Sequence, residues 1–311
     1  MTPKKEATVM IHRVFAKIAK CVLPLTIILT FLLGMTACSD TVLHETHDQG
    51  AEGLISTPSE AIDYRLTFDG KTCLADRGGA VAKDGENVVI IKAGVYHLTG
   101  SYEGQLQISV ADTEHVTLIM EDLSITSPDS AALYVKNAGC VFVEVPEGKT
   151  ATLTDAAEYV FPVGVTKPNA CVYAADDITF RGLGHLTVNA NYNNGISCNN
   201  DLVFMSGRVT VSAKNNGVKG AGSVNLSGDS ILTVLGADDA IKSDGINPGE
   251  GIIRMSGKAT VYASCSDDAL QALAEITVTD EACIYYECEG SIVNCSNAKV
   301  PETAKIPWVK E

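Results

Sequence analysis

The sequence predicts an all-β chain wound as a parallel β-helix, a solenoid with about 22–24 residues per coil. Three observations carry this. The blocks Asn193-Asn194-Gly195-Ile196-Ser197, Asn215-Asn216-Gly217-Val218-Lys219, Asp238-Asp239-Ala240-Ile241-Lys242 and Asp267-Asp268-Ala269-Leu270-Gln271 recur at steps of 22, 23 and 29 residues. A second series, Phe180, Phe204, Leu226, Met255 and Val278, keeps nearly the same rhythm, with steps of 24, 22, 29 and 23. Between these landmarks lie short alternating runs and Gly or Asn/Asp turns, with no sustained helical periodicity. One unit of this kind cannot bury its own apolar face, but stacked units share a continuous core. A β-sandwich with evenly spaced hairpins is the competing reading. It explains the blocks less well, since antiparallel strands do not return one residue type to one station.

Taken in order, the chain opens with Lys4, Lys5, Arg13, Lys17 and Lys20 ahead of the apolar run Val22 to Ala37. That run is short for a membrane span and ends in Met35-Thr36-Ala37-Cys38, so residues 1–37 read as a signal peptide of the lipoprotein type. Cys38 is the expected lipidated residue, its acyl chains supplying membrane affinity without a spanning helix. The expected location is therefore the bacterial cell envelope, membrane-anchored after export. Residues 38–62 are polar and aperiodic and read as a tether. Removing a leader with five positive charges and one negative takes the formal charge from −15 to −19. So acidic a chain argues against nucleic acid as a partner.

Residues 63–297 read as the β-helix itself. Gly94 to Gly100, Gln105 to Val110 and His115 to Thr126 supply its first coils. Ser130-Ala131-Ala132-Leu133-Tyr134 and Asn169-Ala170-Cys171-Val172-Tyr173 extend the block series upstream, with 151–167 as an insertion. Arg181-Gly182, Ser206-Gly207, Ser227-Gly228 and Ser256-Gly257 mark one corner in successive coils. The 29-residue step passes from one side of Asp244 to Glu250 to the other, which locates a loop of about six extra residues there. Residues 298–311, with Pro301 and Pro307, read as a tail over the open end of the core, in which Trp308 packs. Eight cysteines remain beyond Cys38. Cys265 and Cys288 stand one coil apart, a spacing that suits either a disulfide or two stacked thiols.

From about Phe68 to Val293, segments such as AALYVKNA, TLTD, NYNNGIS, NNGVKG, DDAIKSD and DDALQA resemble a bacterial carbohydrate-binding β-helix family. That family is related in fold to the polysaccharide lyase family nine pectate lyases. The resemblance implies a right-handed parallel β-helix, bound calcium and affinity for plant-cell-wall polysaccharide. Two departures are evident: Asn-Asn stands in two blocks where the family prefers acidic pairs, and Ala240 and Ala269 stand where it prefers Gly.

Residues one repeat apart on neighbouring rungs lie about 4.8 Å from each other, so each block position projects a ladder. Leu133, Val172, Ile196, Val218, Ile241 and Leu270 form the inward station, and Tyr134, Tyr173, Ser197, Lys219, Lys242 and Gln271 face outward beside it. Asp238, Asp239, Asp267 and Asp268 would repel if bare, and calcium suits a cluster of carboxylate and amide oxygens, with Asn215 and Asn216 as amide neighbours. Asp244 stands on the loop beside them. Turn chemistry alone accounts for Asn193-Asn194 but does not demand two adjacent Asp twice. Tyr134 and Tyr173 are candidate sugar-stacking rings, and Lys219 and Lys242 candidate partners for uronate carboxylates. In a lyase the same lysines would serve as proton acceptors beside calcium, but no further signal marks an enzyme. The expectation is a tethered polysaccharide binder using calcium, with a lyase and a glycan-free adhesin as the alternatives.

Overall fold

The computed structural model describes residues 61–161 and 163–309; the leader, Cys38 and residues 39–60 of the tether lie outside the described residues. The described chain is a parallel β-helix with three walls. The first wall carries Asn87–Ile90, Leu106–Ser109, Leu133–Asn137, Ala170–Ala174, Asn194–Cys198, Val218–Gly220, Ile241–Ser243, Leu270–Ala272 and Val293–Asn294, each parallel to the next. The second begins at Cys140–Val145 and continues through Asp177–Gly182 to Ala298–Lys299. The third runs from Thr150–Thr154 through His185–Asn189 to Lys305–Pro307. In the earliest coils one long strand serves both the second and third walls. His115–Thr126 pairs through His115 to Ile119 with Cys140 to Glu144, and through Leu123 to Thr126 with Ala151 to Thr154.

Register follows the sequence stations. Val172, Ile196, Val218, Ile241 and Leu270 pair in succession and are fully buried. Apolar side chains at the inward stations of the three walls form a single apolar interior. Phe180 and Phe204 meet inside it as stacked rings with centroids 5.1 Å apart. Gly182, Gly207, Gly228 and Gly257 all take positive φ, between 60° and 98°, at the corner from the second wall to the third. A β-carbon on Gly182 would lie 2.2 Å from the carbonyl oxygen of Val145, so coil-to-coil approach as well as φ demands glycine there.

The N-terminal end is closed by antiparallel pieces: Thr72–Ala75 returns along Tyr64–Gly70, and Val81–Asp84 along Asn87–Ile90. Such pairing covers an edge that would otherwise template another chain. Cys265 and Cys288 are disulfide-bonded across adjacent rungs, with Cα atoms 4.7 Å apart.

Two expectations need correction. Residues 150–154 form a strand of the third wall, so the excursion comprises residues 155–169 rather than 151–167. The expected tail is the last coil: Ala298–Lys299 pairs with Ile276 and Thr277, and Lys305–Pro307 with Ile284 to Tyr286. Pro307 is accommodated because this strand pairs on one side only, and an edge strand need not donate every N–H. Trp308 packs as expected, its ring 5.3 Å from that of Tyr262 on the outer face.

Candidate functional site

Two loops border the outer face of the first wall: the excursion 155–169 enters it at Ala170, and residues 244–251 leave it after Ser243. Strand alternation puts Tyr134, Tyr173, Ser197, Lys219, Lys242 and Gln271 on that face in register. The structure brings Tyr134 and Tyr173 together edge to face, centroids 5.7 Å apart. Tyr173 is nonetheless only 2% exposed. Its hydroxyl donates to Asn199 Oδ1 at 3.0 Å, and the Lys167 ammonium lies 5.1 Å from its ring centroid. This ring is therefore covered and has no free face for a sugar, whereas Tyr134 stays partly exposed with Lys136 above it. Lys219 pairs with Asp244 Oδ2 at 2.6 Å and Lys242 with Asp239 Oδ2 at 2.8 Å. Each lysine is thus an ion-pair partner, not a free amine.

The acidic ladder sits at the start of the first wall's late strands. Carboxylate oxygens of Asp239, Asp267 and Asp268 lie within 4.8 Å of one another. Asp238 is not in this group; its Oδ1 accepts from the Ser266 hydroxyl at 3.1 Å. Asn215 is likewise engaged elsewhere, donating to Asn193 Oδ1 at 2.9 Å. Asp239 and Asp268 are each 3% exposed and Asp267 is open to solvent. Asp268 is held by the backbone N–H of Ser291 at 2.7 Å, by Gln271 at 3.0 Å and by Asn294. Burial pushes its carboxyl up, but these donors outweigh burial and hold it below the usual carboxylate range. Asp267 is pushed up, first by the neighbouring charge of Asp268, then by burial and Asp239, with Lys242 opposing.

One buried atom tests whether a cation fits here. Asn194 Oδ1 accepts from both the backbone N–H and the side-chain amide of Asn216, at 3.2 and 2.8 Å. Asn216 Oδ1 repeats the arrangement one rung on but accepts nothing, although Asn216 is 5% exposed. The side chain at its station on the next rung is Asp239, which has no amide to give. An orphaned buried carbonyl oxygen beside three clustered carboxylates is a set of hard oxygen donors. The three carboxylates together with Lys242 leave a formal charge of −2, which one divalent cation would balance. The residues fit calcium through Asp239, Asp267, Asp268 and Asn216, without Asp238 or Asn215.

A carbohydrate-binding domain-containing protein family matches residues 84–305, which include the acidic ladder. The chain belongs to that family. Another carbohydrate-binding domain-containing protein, from Acetivibrio thermocellus, is 35% identical over 198 residues, 63% of this chain and 66% of the relative. Among solved structures, a polysaccharide lyase-like protein from C. thermocellum, in a gadolinium derivative, superposes with a TM-score of 0.76 at 34% identity. That match covers 79% of this chain and all of the neighbour. Within the carbohydrate-binding domain family, the fold expected from the repeats is the fold observed. Sequence reasoning missed Lys167, because an excursion outside the repeat has no station, and it missed Gln271, Ser291 and Asn294 as donors to Asp268.

Proposed function

We propose that the protein is a lipid-anchored, calcium-assisted binder of acidic cell-wall polysaccharide, with the outer face of the first wall as its glycan surface. The observation that carries this reading is the pairing, on one wall, of an oxygen-only cation cradle with a row of lysines. Calcium takes six to eight oxygen ligands, roughly, and the four protein groups leave positions that a uronate carboxylate and water can complete. When bound, calcium supplies charge neutralisation between the acidic protein and an acidic glycan. The residues do the rest: Asp239 and Asp268 are fixed by backbone and side-chain donors, and Lys242 holds Asp239 in place. The lipid at Cys38 would hold this surface at the envelope.

Lys219 and Lys242 are both engaged by carboxylates, which favours binding over proton abstraction. Incubation with polygalacturonate and calcium tests this. Retention of polymer without ultraviolet-absorbing unsaturated ends is expected. Steady growth of that absorbance with protein concentration would establish a lyase instead.

A further inference from the structure

The excursion 155–169 is pinned at its base. Asp155 is buried at 3% exposure, accepts from the Tyr159 hydroxyl at 2.7 Å, and takes the backbone N–H of Asn191. The Tyr159 ring stacks on Tyr192 with centroids 4.1 Å apart, and Phe161 abuts both. From this anchor the chain returns to the first wall and delivers Lys167 over the ring of Tyr173. Lys167 is part-buried and beside a like charge: burial, then Lys219, lower its pKa, while Asp244 pulls the other way. Lys219 already spends itself on Asp244. Among the described residues, Lys167 makes no ion pair, and its ammonium lies over the ring of Tyr173. A part-buried ammonium next to another cation is disfavoured, and an anion from a ligand relieves it.

We propose that Lys167 is a specificity-determining residue that receives a sugar carboxylate on the first wall, so that the excursion reads the charge of the glycan. This rests on the polysaccharide reading above and assigns one subsite within it, separate from the calcium cradle. Tyr173 then has a positioning role, holding the ammonium by its ring face. The site distinguishes an acid from its ester: a methyl ester keeps the sugar ring and the chain but offers no charge.

The test compares polygalacturonate with its fully methyl-esterified form, binding each at fixed calcium. Lys167→Gln should weaken polygalacturonate binding roughly tenfold, the loss expected for one hydrogen bond to a charged group. Binding of the ester should be unchanged. Lys167→Arg, which keeps the charge, should stay within about twofold of wild type. Lys258→Gln removes an equal charge at a distant exposed corner and should cost less than about twofold. An unchanged polygalacturonate affinity in Lys167→Gln, or an equal loss on the ester, overturns the assignment while leaving the polysaccharide reading intact. A wild-type protein that binds neither polymer overturns both. Matching melting temperatures of wild type and Lys167→Gln confirm that the loss is not one of folding.

Discussion

Asp267 carries its charge beside those of Asp268, Asp239 and Asp238. Its carboxyl sits above the ordinary 3.8, first because of Asp268 and then because of burial and Asp239. A raised value in the fold means that ionisation is easier in the unfolded chain. In calcium-free protein this contribution is therefore harmless below 3.8 and becomes destabilising as pH rises through the raised value. We expect Asp267→Asn, in chelator, to melt above wild type at neutral pH and to lose that advantage on acidification toward about pH 4. With calcium the advantage should shrink or reverse, because the ion needs the carboxylate. Melting curves of the two proteins that coincide in chelator at neutral pH would contradict the repulsion. At Cys38 the expectation is chemical: Cys38→Ser should abolish incorporation of a labelled fatty acid. Equal labelling of both proteins would refute the anchor.

Single elements carry stability by linking one coil to the next. The Cys265–Cys288 bond closes a loop of 23 residues between third-wall strands. Constraint of the unfolded chain over such a loop is worth about 3 kcal/mol. Replacing both cysteines with serine should lower unfolding free energy by about that amount, measured by denaturant titration without reductant. Two freely alkylated thiols in the folded, oxidised protein would show that the bond is not made. The elements were legible in the sequence wherever they repeat. Leu133, Val172, Ile196, Val218, Ile241 and Leu270 declared one buried station, and the corner glycines one turn. Elements without a repeat partner were not legible. The excursion 155–169 has no counterpart in other coils, so neither its first residue nor Lys167 could be placed. The last coil was hidden because its strands are two or three residues long, with Pro301 between them and Pro307 inside the second. The acidic ladder was half legible. Spacing assembled four aspartates, but the Ser266 hydroxyl that engages Asp238 lies on the next coil and is visible only in the fold.

At the scale of the whole molecule, charge decides what calcium must do. A chain of formal charge −15 repels an anionic polymer at long range. The lysines of the first wall act locally, and two of them are already neutralised by aspartates. Net attraction to a polyuronate therefore needs added positive charge at Asp239, Asp267 and Asp268. The same ion should stabilise the late coils, because it binds the folded cluster and has little hold on an unfolded chain. Chelation should accordingly lower the melting temperature, and Asp239→Ala with Asp268→Ala should remove most of that response, in a fold already weakened by the loss of buried partners. An identical melting curve with calcium and with chelator would place the ion outside the fold. The most direct measurement is the affinity for polygalacturonate with millimolar calcium and then with excess chelator, at fixed ionic strength. Binding in calcium should fall at least roughly tenfold in chelator, the least that one lost charge-assisted contact would cost. Equal affinity in the two conditions, or no binding in either, would contradict it.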